Sequence, residues 1–316
     1  MKIKKTTVLI IVLASLSIVG LFFFVIQKDN VPAINNDTAD DYHTIEYKGE
    51  TYYYNTDIVT ILLMGIDSKD GMQGQNDHIS LLMIDRKNKE LKILSIPRET
   101  VTEVEIYNDN GEFLGISDTL LGLAYPNGVR AGKGALKTIE ATQKILYNIP
   151  IVYYVVGNLN ILPHLPEIVG DVDIILPDDS MAYLNPEWVE GYSFNVNSET
   201  IELFLRARDI NDSFTNRTRT ERQNLYLKWF FDNMNNDIDS SILFNELIDI
   251  INDSETNISI SEASALYDIA LQSLSNEQFA YTIEGRYATG LYYEEFYPNR
   301  EELLSLIIEL FYIKEI

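Results

Sequence analysis

Residues 6–27 form an uncharged run of 22 residues, apolar from Val8 to Ile26, with Lys2, Lys4 and Lys5 before it and Lys28 after it. About 20 apolar residues cross a bilayer as a helix, and lysines on the short side hold that side in the cytoplasm. A cleaved signal peptide has an apolar core of roughly 7–15 residues and a small-x-small cleavage site, and Phe22, Phe23, Phe24 and Val25 offer neither. The pattern predicts a cytoplasmic tail at residues 1–5, a retained transmembrane helix at 6–27, and everything after Lys28 outside the cell. An outer domain has no nucleotide supply. The near match to a phosphate-binding loop at 128–134 (GVRAGKG) also has the wrong spacing and lacks the Ser/Thr that holds magnesium.

Charge narrows the outer domain further. The chain has 48 Asp+Glu against 24 Lys+Arg, a net charge of −24, and removing the three inner lysines leaves 21 cations against 48 anions outside, or −27. Nucleic acid phosphates are held by Lys and Arg that displace counterions, so a nucleic acid partner is not expected. The absence of cysteine excludes disulfide scaffolds, thiol catalysis and Cys-based metal sites. Three histidines far apart (His43, His78 and His164) leave no paired zinc motif and argue against a Ser-His-Asp triad.

Residues 28–56 carry Pro, Asn, Asp and Thr with no apolar period and read as a stalk. Apolar runs bounded by turn residues at 58–64, 79–84 and 91–96 predict buried strands. Segments 101–107 and 112–117 flank the turn sequence NDNG as a hairpin, a helix is expected over 131–147, and strands at 151–156 and 172–176. The second half reads as helical at 198–208, 218–234, 243–251, 261–274 and 300–312, with a strand at 279–283. Strands mixed with helices predict one α/β domain over 57–316, built on a central mixed sheet flanked by helices.

Arginine placement is the most informative local feature. Five of ten arginines (Arg206, Arg208, Arg217, Arg219 and Arg222) fall within 17 residues, and Arg98 follows Pro97 at the end of an apolar strand. The guanidinium fork suits two-point contact with phosphate or carboxylate oxygens. A solvated helix face paired with Glu202, Asp209, Asp212 and Glu221 would give the same cluster. The loop at 65–77 (GIDSKDGMQGQND) holds three carboxylates among glycines at the end of a strand, which suits a hard cation or merely a polar turn. Taken together, a divalent site and an arginine set describe a centre that binds pyrophosphate.

Six short stretches, in order, carry a resemblance to a known family: 62–69 (LLMGIDSK), 76–81 (NDHISL), 94–100 (LSIPRET), 149–156 (IPIVYYVV), 204–208 (FLRAR) and 219–223 (RTERQ). In sequence and order they resemble the LytR-CpsA-Psr family, over roughly residues 57–229. The resemblance implies a membrane-anchored phosphotransferase at the outer face of a Gram-positive membrane. It would move wall teichoic acid or capsular polysaccharide from undecaprenyl-pyrophosphate to peptidoglycan, with Mg²⁺ or alternatively Mn²⁺. By matching position, Asp67 and Asp77 correspond to the metal-linked aspartates. Arg98, Arg206 and Arg208, with Asp67, correspond to the catalytic set. Lys69, Arg98, Arg206, Arg208, Arg219, Arg222 and Gln223 would hold the pyrophosphate. Four positions depart from the family pattern: Lys69 replaces Arg, Gln75 replaces Arg, His78 replaces Thr and Glu99 replaces Asp.

The expected arrangement puts the carrier lipid in an apolar pocket, with its pyrophosphate at the sheet edge. A peptidoglycan hydroxyl would attack the phosphorus bearing the polymer, and an aspartate such as Asp67 would take the proton. Two rival readings remain at this point: a hydrolase on the same carrier, and a membrane-anchored binding or regulatory protein without turnover.

Overall fold

A computed structural model describes residues 44–71, 73–209, 215–233, 250, 254–259, 262–263, 265–266, 269, 274–291 and 293–314. The anchor expected at 6–27 and the helix expected at 243–251, apart from Ile250, lie outside these residues. Among the described residues no helix is long and apolar enough to cross a membrane.

The described chain begins with a hairpin of β1 (Thr44–Tyr47) and β2 (Glu50–Tyr54). Lys48 and Gly49 form its two-residue turn with φ of 51° and 80°, the left-handed pair that matches strand twist. The stalk expectation is therefore corrected: from Thr44 onward the chain is sheet. Lys-Gly is a weaker hairpin signal than Asn-Gly, and nothing local shows that β2 gains a second partner from the far end of the chain.

Next come β3 (Ile58–Ile66), β4 (Asn76–Asp85) and β5 (Glu90–Ser95), with β4 pairing antiparallel to both β3 and β5. Their burial is nearly continuous because both faces are covered, as unbroken apolar runs require. On one face, Leu62, Met64, Leu81, Met83 and Leu94 enter the largest core. On the other, Ile61, Leu82, Ile84, Leu91 and Ile93 enter a second.

A hairpin follows, β6 (Val101–Tyr107) and β7 (Phe113–Leu120), then helices α1 (Ala124–Val129) and α2 (Gly134–Ile145), which pack into the largest core through Tyr125, Ile139 and Ile145. β8 (Tyr153–Gly157) returns parallel to β3. The chain then builds a small unit from α3 (His164–Val169), β9 (Val172–Ile175), β10 (Ser193–Val196) and α4 (Ile201–Arg206) around a third core. Helix α5 (Asn216–Asn233) runs between that unit and the sheet, giving Tyr226 to the third core and packing Leu227 and Phe231 against the second.

β11 (Ser254–Thr256) pairs with β8, and β12 (Leu274–Thr282) pairs parallel with β5. The main sheet is thus mixed, in the order β11-β8-β3-β4-β5-β12. The helix expected to reach Leu274 stops short of it, because Leu274 already belongs to β12. The hairpin of β13 (Gly285–Thr289) and β14 (Glu294–Pro298) follows, then α6 (Arg300–Phe311), capped by Asn299, and β15 (Tyr312–Lys314) on β2.

Candidate active site

The site begins with an irregularity in the sheet. Gly65 of β3 lies opposite His78 of β4, and the next pair is Ile66 with Asn76, so Asp77 is an extra residue on β4. Neighbouring side chains on a regular strand point to opposite faces, and a bulge re-aims one of them. Here Asp77 and His78 line the same cavity. The loop between the strands closes where the Asp67 N–H donates to the Gln75 carbonyl at 3.0 Å. A β-carbon at Gly74 would lie 2.6 Å from the Asp67 carbonyl oxygen, so the approach requires glycine.

Arginines from three elements converge on these aspartates. Arg98 follows β5, and its carbonyl accepts from the Gly122 N–H at 2.8 Å. Its guanidinium pairs with Asp77 and, through Nε, with Glu99 Oε1 at 2.7 Å. Burial opposes its charge, but Asp77 and Glu99 outweigh that and leave its pKa raised. Arg219, in the first turn of α5, reaches the same aspartate: Nη1 lies 3.3 Å from Asp77 Oδ2 and Nη2 donates to the Asp77 carbonyl at 3.3 Å. Burial lowers its pKa, Asp77 opposes the shift and Arg98 adds to it. Its Nε is buried with no hydrogen-bond partner among the described residues. Such a donor has a place for an acceptor that the protein does not fill.

Arg206 ends α4, with Nη2 2.5 Å from Asp67 Oδ1 and Nη1 2.8 Å from Glu202 Oε1. Lys69 Nζ takes the other Glu202 oxygen at 2.8 Å. Burial would raise the Glu202 pKa, but Lys69 and Arg206 hold it low. Lys69, Arg98, Arg206 and Arg219 thus face Asp67, Asp77, Glu99 and Glu202, four cations to four anions.

Behind this mouth lies an apolar cavity of ≈ 290 Å³. Its walls come from β3, β8, α3, α4 and α5, through side chains such as Leu63, Val155, Leu165, Leu205 and Phe231. Asp77, Arg206, Arg219 and Gln223 line its polar end, and Asp77, Arg219 and Gln223 also line a small polar pocket with Arg98 and Glu99. A greasy chamber therefore opens directly onto the guanidinium groups.

The chain as a whole also matches known proteins. A model of the LytR_cpsA_psr family matches residues 21–306. The chain belongs to the LytR-CpsA-Psr family. Over 282 residues it is 28% identical to the polyisoprenyl-teichoic acid–peptidoglycan teichoic acid transferase TagV of Bacillus subtilis strain 168, covering 85% of this chain and 67% of TagV. Over 116 residues it is 33% identical to a TagU transferase of the same description from Bacillus cereus strain ATCC 14579, 37% of this chain and 34% of TagU. That match spans about a third of the TagU length. The crystal structure of Bacillus subtilis TagV has the same fold, with a TM-score of 0.59 at 24% identity over 81% of this chain and 96% of that one. TagT bound to LI-WTA aligns with a TM-score of 0.60 at 20% identity, covering 86% and 96%.

Not every arginine expected to bind pyrophosphate in this LytR-CpsA-Psr protein joins the cluster around Asp67 and Asp77. Arg222 is corrected: it is fully buried, its Nε donates to the Phe204 carbonyl at 3.1 Å, and its two terminal nitrogens bond Ser180 Oγ and the Ala207 carbonyl. Gln223 Nε2 donates to the Leu205 carbonyl at 3.0 Å. Carbonyls at a helix C-terminus lack intrahelical partners, and α5 supplies them to the end of α4. Arg222 thereby positions Arg206 instead of touching a ligand. Arg208 lines a separate polar cavity on the other side of Arg98. Glu202, which the sequence suggests only as a surface partner of the arginines, joins Lys69 to Arg206. Its place four residues before Arg206, one turn along the helix, was the available signal.

Each departure from the family pattern has a structural place. Lys69 answers Glu202, Gln75 lines the polar cavity with Arg208, and Glu99 is nearly enclosed against Arg98. His78 Nδ1 lies 2.8 Å from Gln223 Oε1, and Nε2 lies 2.8 Å from Ser80 Oγ. Since Gln223 must turn its NH₂ toward Leu205, its oxygen faces His78. Nδ1 therefore carries the proton and Nε2 accepts from Ser80. His78 joins β4 to α5 beneath the arginines.

Asp67 and Asp77 also bear on the metal question. Among the described residues no group of three His, Cys, Asp or Glu gathers that could cage an ion. Asp67 is paired with Arg206 and Asp77 with Arg98 and Arg219, and two carboxylates are as many as Mg²⁺ asks of a protein when phosphate and water complete its shell.

Proposed function

We propose that this chain transfers an anionic glycopolymer, such as wall teichoic acid or capsular polysaccharide, from undecaprenyl-pyrophosphate to peptidoglycan, working at the outer face of a Gram-positive membrane to which residues 6–27 anchor it. One observation carries the reading: an apolar cavity and a cluster of guanidinium groups share Asp77, Arg219 and Gln223 as common walls. A lipid tail fits one and a diphosphate the other. The relatives' printed descriptions, polyisoprenyl-teichoic acid to peptidoglycan transfer, support it.

The polyprenyl chain enters between β3, β8 and α5, which exclude water from it. Arg98, Arg206 and Arg219, with Lys69 at the rim, take the phosphate oxygens, and the unsatisfied Arg219 Nε gains its acceptor. Bound by Asp67 and Asp77, Mg²⁺ or Mn²⁺ would supply positive charge to a site whose own four cations and four carboxylates balance. A peptidoglycan sugar hydroxyl attacks the phosphorus that bears the polymer. The new O–P bond forms as the bridging P–O bond breaks, and its electron pair leaves with polyprenyl phosphate. Asp67, more exposed than Asp77 and paired with one arginine instead of two, takes the hydroxyl proton.

The test is to incubate the full-length protein with a polyprenyl-pyrophosphate glycan, a peptidoglycan fragment and Mg²⁺. Arg98→Ala and Arg206→Ala should each slow transfer by about 10²–10³. Undiminished transfer by either variant removes the arginine role. Polymer released into solution without attachment to the fragment would assign hydrolysis instead.

A further inference from the structure

The polar cavity on the far side of Arg98 is unaccounted for by lipid and pyrophosphate. Its volume is ≈ 320 Å³, near the lower end of ligand pockets, which run about 300–1,000 Å³. Arg98 and Glu99 line both it and the small pocket that holds Asp77 and Arg219. Along the molecule the order is therefore apolar cavity, Asp77 with Arg219, Arg98 with Glu99, then polar cavity.

That order constrains the chemistry. Displacement at phosphorus places the attacking and leaving oxygens roughly in line. With the leaving polyprenyl phosphate on the apolar side, the polar cavity, which shares Arg98 and Glu99 with the small polar pocket and no residue with the apolar cavity, is the space open to the attacking hydroxyl. We propose, resting on the transfer reading above, that this cavity is the acceptor subsite and binds an uncharged sugar residue of the acceptor glycan.

Its walls distinguish acceptor from donor. Among the described residues Arg98 and Arg208 line it together with Glu99, Asp209 and Glu294, two cations against three anions. A polymer of repeating phosphates is disfavoured by that balance. An uncharged sugar offers hydroxyl and amide protons to the carboxylates and oxygens to the guanidinium groups. Tyr293 adds an exposed ring, 59% accessible, on which the apolar face of a sugar can stack. The hairpin tip that carries Tyr293 and Glu294 is tied to the catalytic turn. The Phe296 N–H donates to the Glu99 carbonyl at 2.8 Å, and Thr100 bridges to Phe296. Gln75, on the same wall, accepts from the Asp67 N–H through its carbonyl at 3.0 Å. A sugar seated here thus lies against the loop that carries Asp67.

The experiment measures binding, apart from turnover. Full-length protein in detergent, saturated with polyprenyl phosphate, is titrated by calorimetry with an uncharged N-acetylglucosamine tetramer and with a glycerol phosphate oligomer. The tetramer should bind, and Tyr293→Ala and Glu294→Gln should each weaken it about tenfold, the loss of roughly one charge-assisted hydrogen bond or stacking contact. Neither change should alter polyprenyl phosphate affinity, which also shows that the variants fold. The inference is overturned if the tetramer does not bind protein that holds polyprenyl phosphate, if both variants bind it as well as wild type, or if the phosphate oligomer is the probe they weaken. Absent transfer with intact, Tyr293-dependent tetramer binding would strike the transfer reading and leave the subsite standing.

Discussion

Arg206 keeps about a third of its side chain in solvent and faces Asp67, whereas Arg222 is enclosed and holds the carbonyls at the end of α4. Both sit in one arginine-rich stretch, and spacing alone could not separate them, because burial is a tertiary property. The two substitutions should therefore behave oppositely. Arg222→Ala strands buried carbonyls and should cost about 2–4 kcal/mol in denaturant unfolding, with Arg222→Lys a poor rescue because one ammonium cannot reach three divergent acceptors. Arg206→Ala should change stability by less than about 1 kcal/mol while slowing transfer by about 10²–10³. Equal losses of stability would contradict this division. His78 supplies a second residue-level prediction. Burial lowers its pKa from the ordinary 6.5, Gln223 opposes, Arg219 adds to the shift and Asp77 opposes. Below pH 6.5 the unfolded chain binds a proton that the folded chain resists, so stability falls with pH until the folded pKa is reached. Urea midpoints of wild type and His78→Gln should run parallel above pH 7 and diverge below 6.5, with wild type losing more. Parallel curves down to pH 5 would show that His78 titrates normally.

At the scale of elements, what the sequence revealed depended on whether the cause was local. The runs of β3, β4 and β5 are apolar because both faces are buried, so each announces itself, and the helices α2 and α6 follow their apolar spacing. The pairing of β15 with β2, and β14 with the Glu99–Thr100 turn, depend on partners far away in the chain. The site divides in the same way. Asp67, Arg98 and Arg219 stood out by motif, but the bulge that turns Asp77 into the cavity exists only in the register of β3 with β4. Gly74 is where that loop can be tested. Its φ is not left-handed, so Gly74→Ala acts by contact alone, the new carbon meeting the Asp67 carbonyl at 2.6 Å and Ile66 Cγ2 at 3.0 Å. Relief requires the loop to move, at a cost of about 1–3 kcal/mol, and movement shifts Asp67 from Arg206. Transfer should fall at least tenfold with the polyprenyl phosphate affinity little changed, since the apolar walls do not include this loop. A fully active, fully stable Gly74→Ala protein would show that the loop's closure does not position Asp67.

Across the whole molecule the net charge of −24 opposes the approach of any anionic ligand, yet the site itself is a balanced set of four cations and four carboxylates. The two act over different ranges. At about 0.01 M salt the Debye length is roughly 30 Å, so a diphosphate lipid approaching the mouth feels most of the acidic surface; at about 0.15 M it is roughly 8 Å, and only the nearest groups count. On the proposed reading the arginines of the mouth lie within that shorter distance of the lipid's phosphates, and most of the chain's carboxylates do not. Association of soluble, short-chain polyprenyl phosphate should therefore quicken as salt rises from 0.01 to 0.15 M, by severalfold. It should slow again toward 1 M, where a Debye length of roughly 3 Å screens the arginines too. Dissociation, governed by contacts inside the apolar cavity, should change far less. A rate that falls steadily from the lowest salt would mean that a positive field extends well beyond the pocket, and the acidic surface would then have no part in how the ligand arrives.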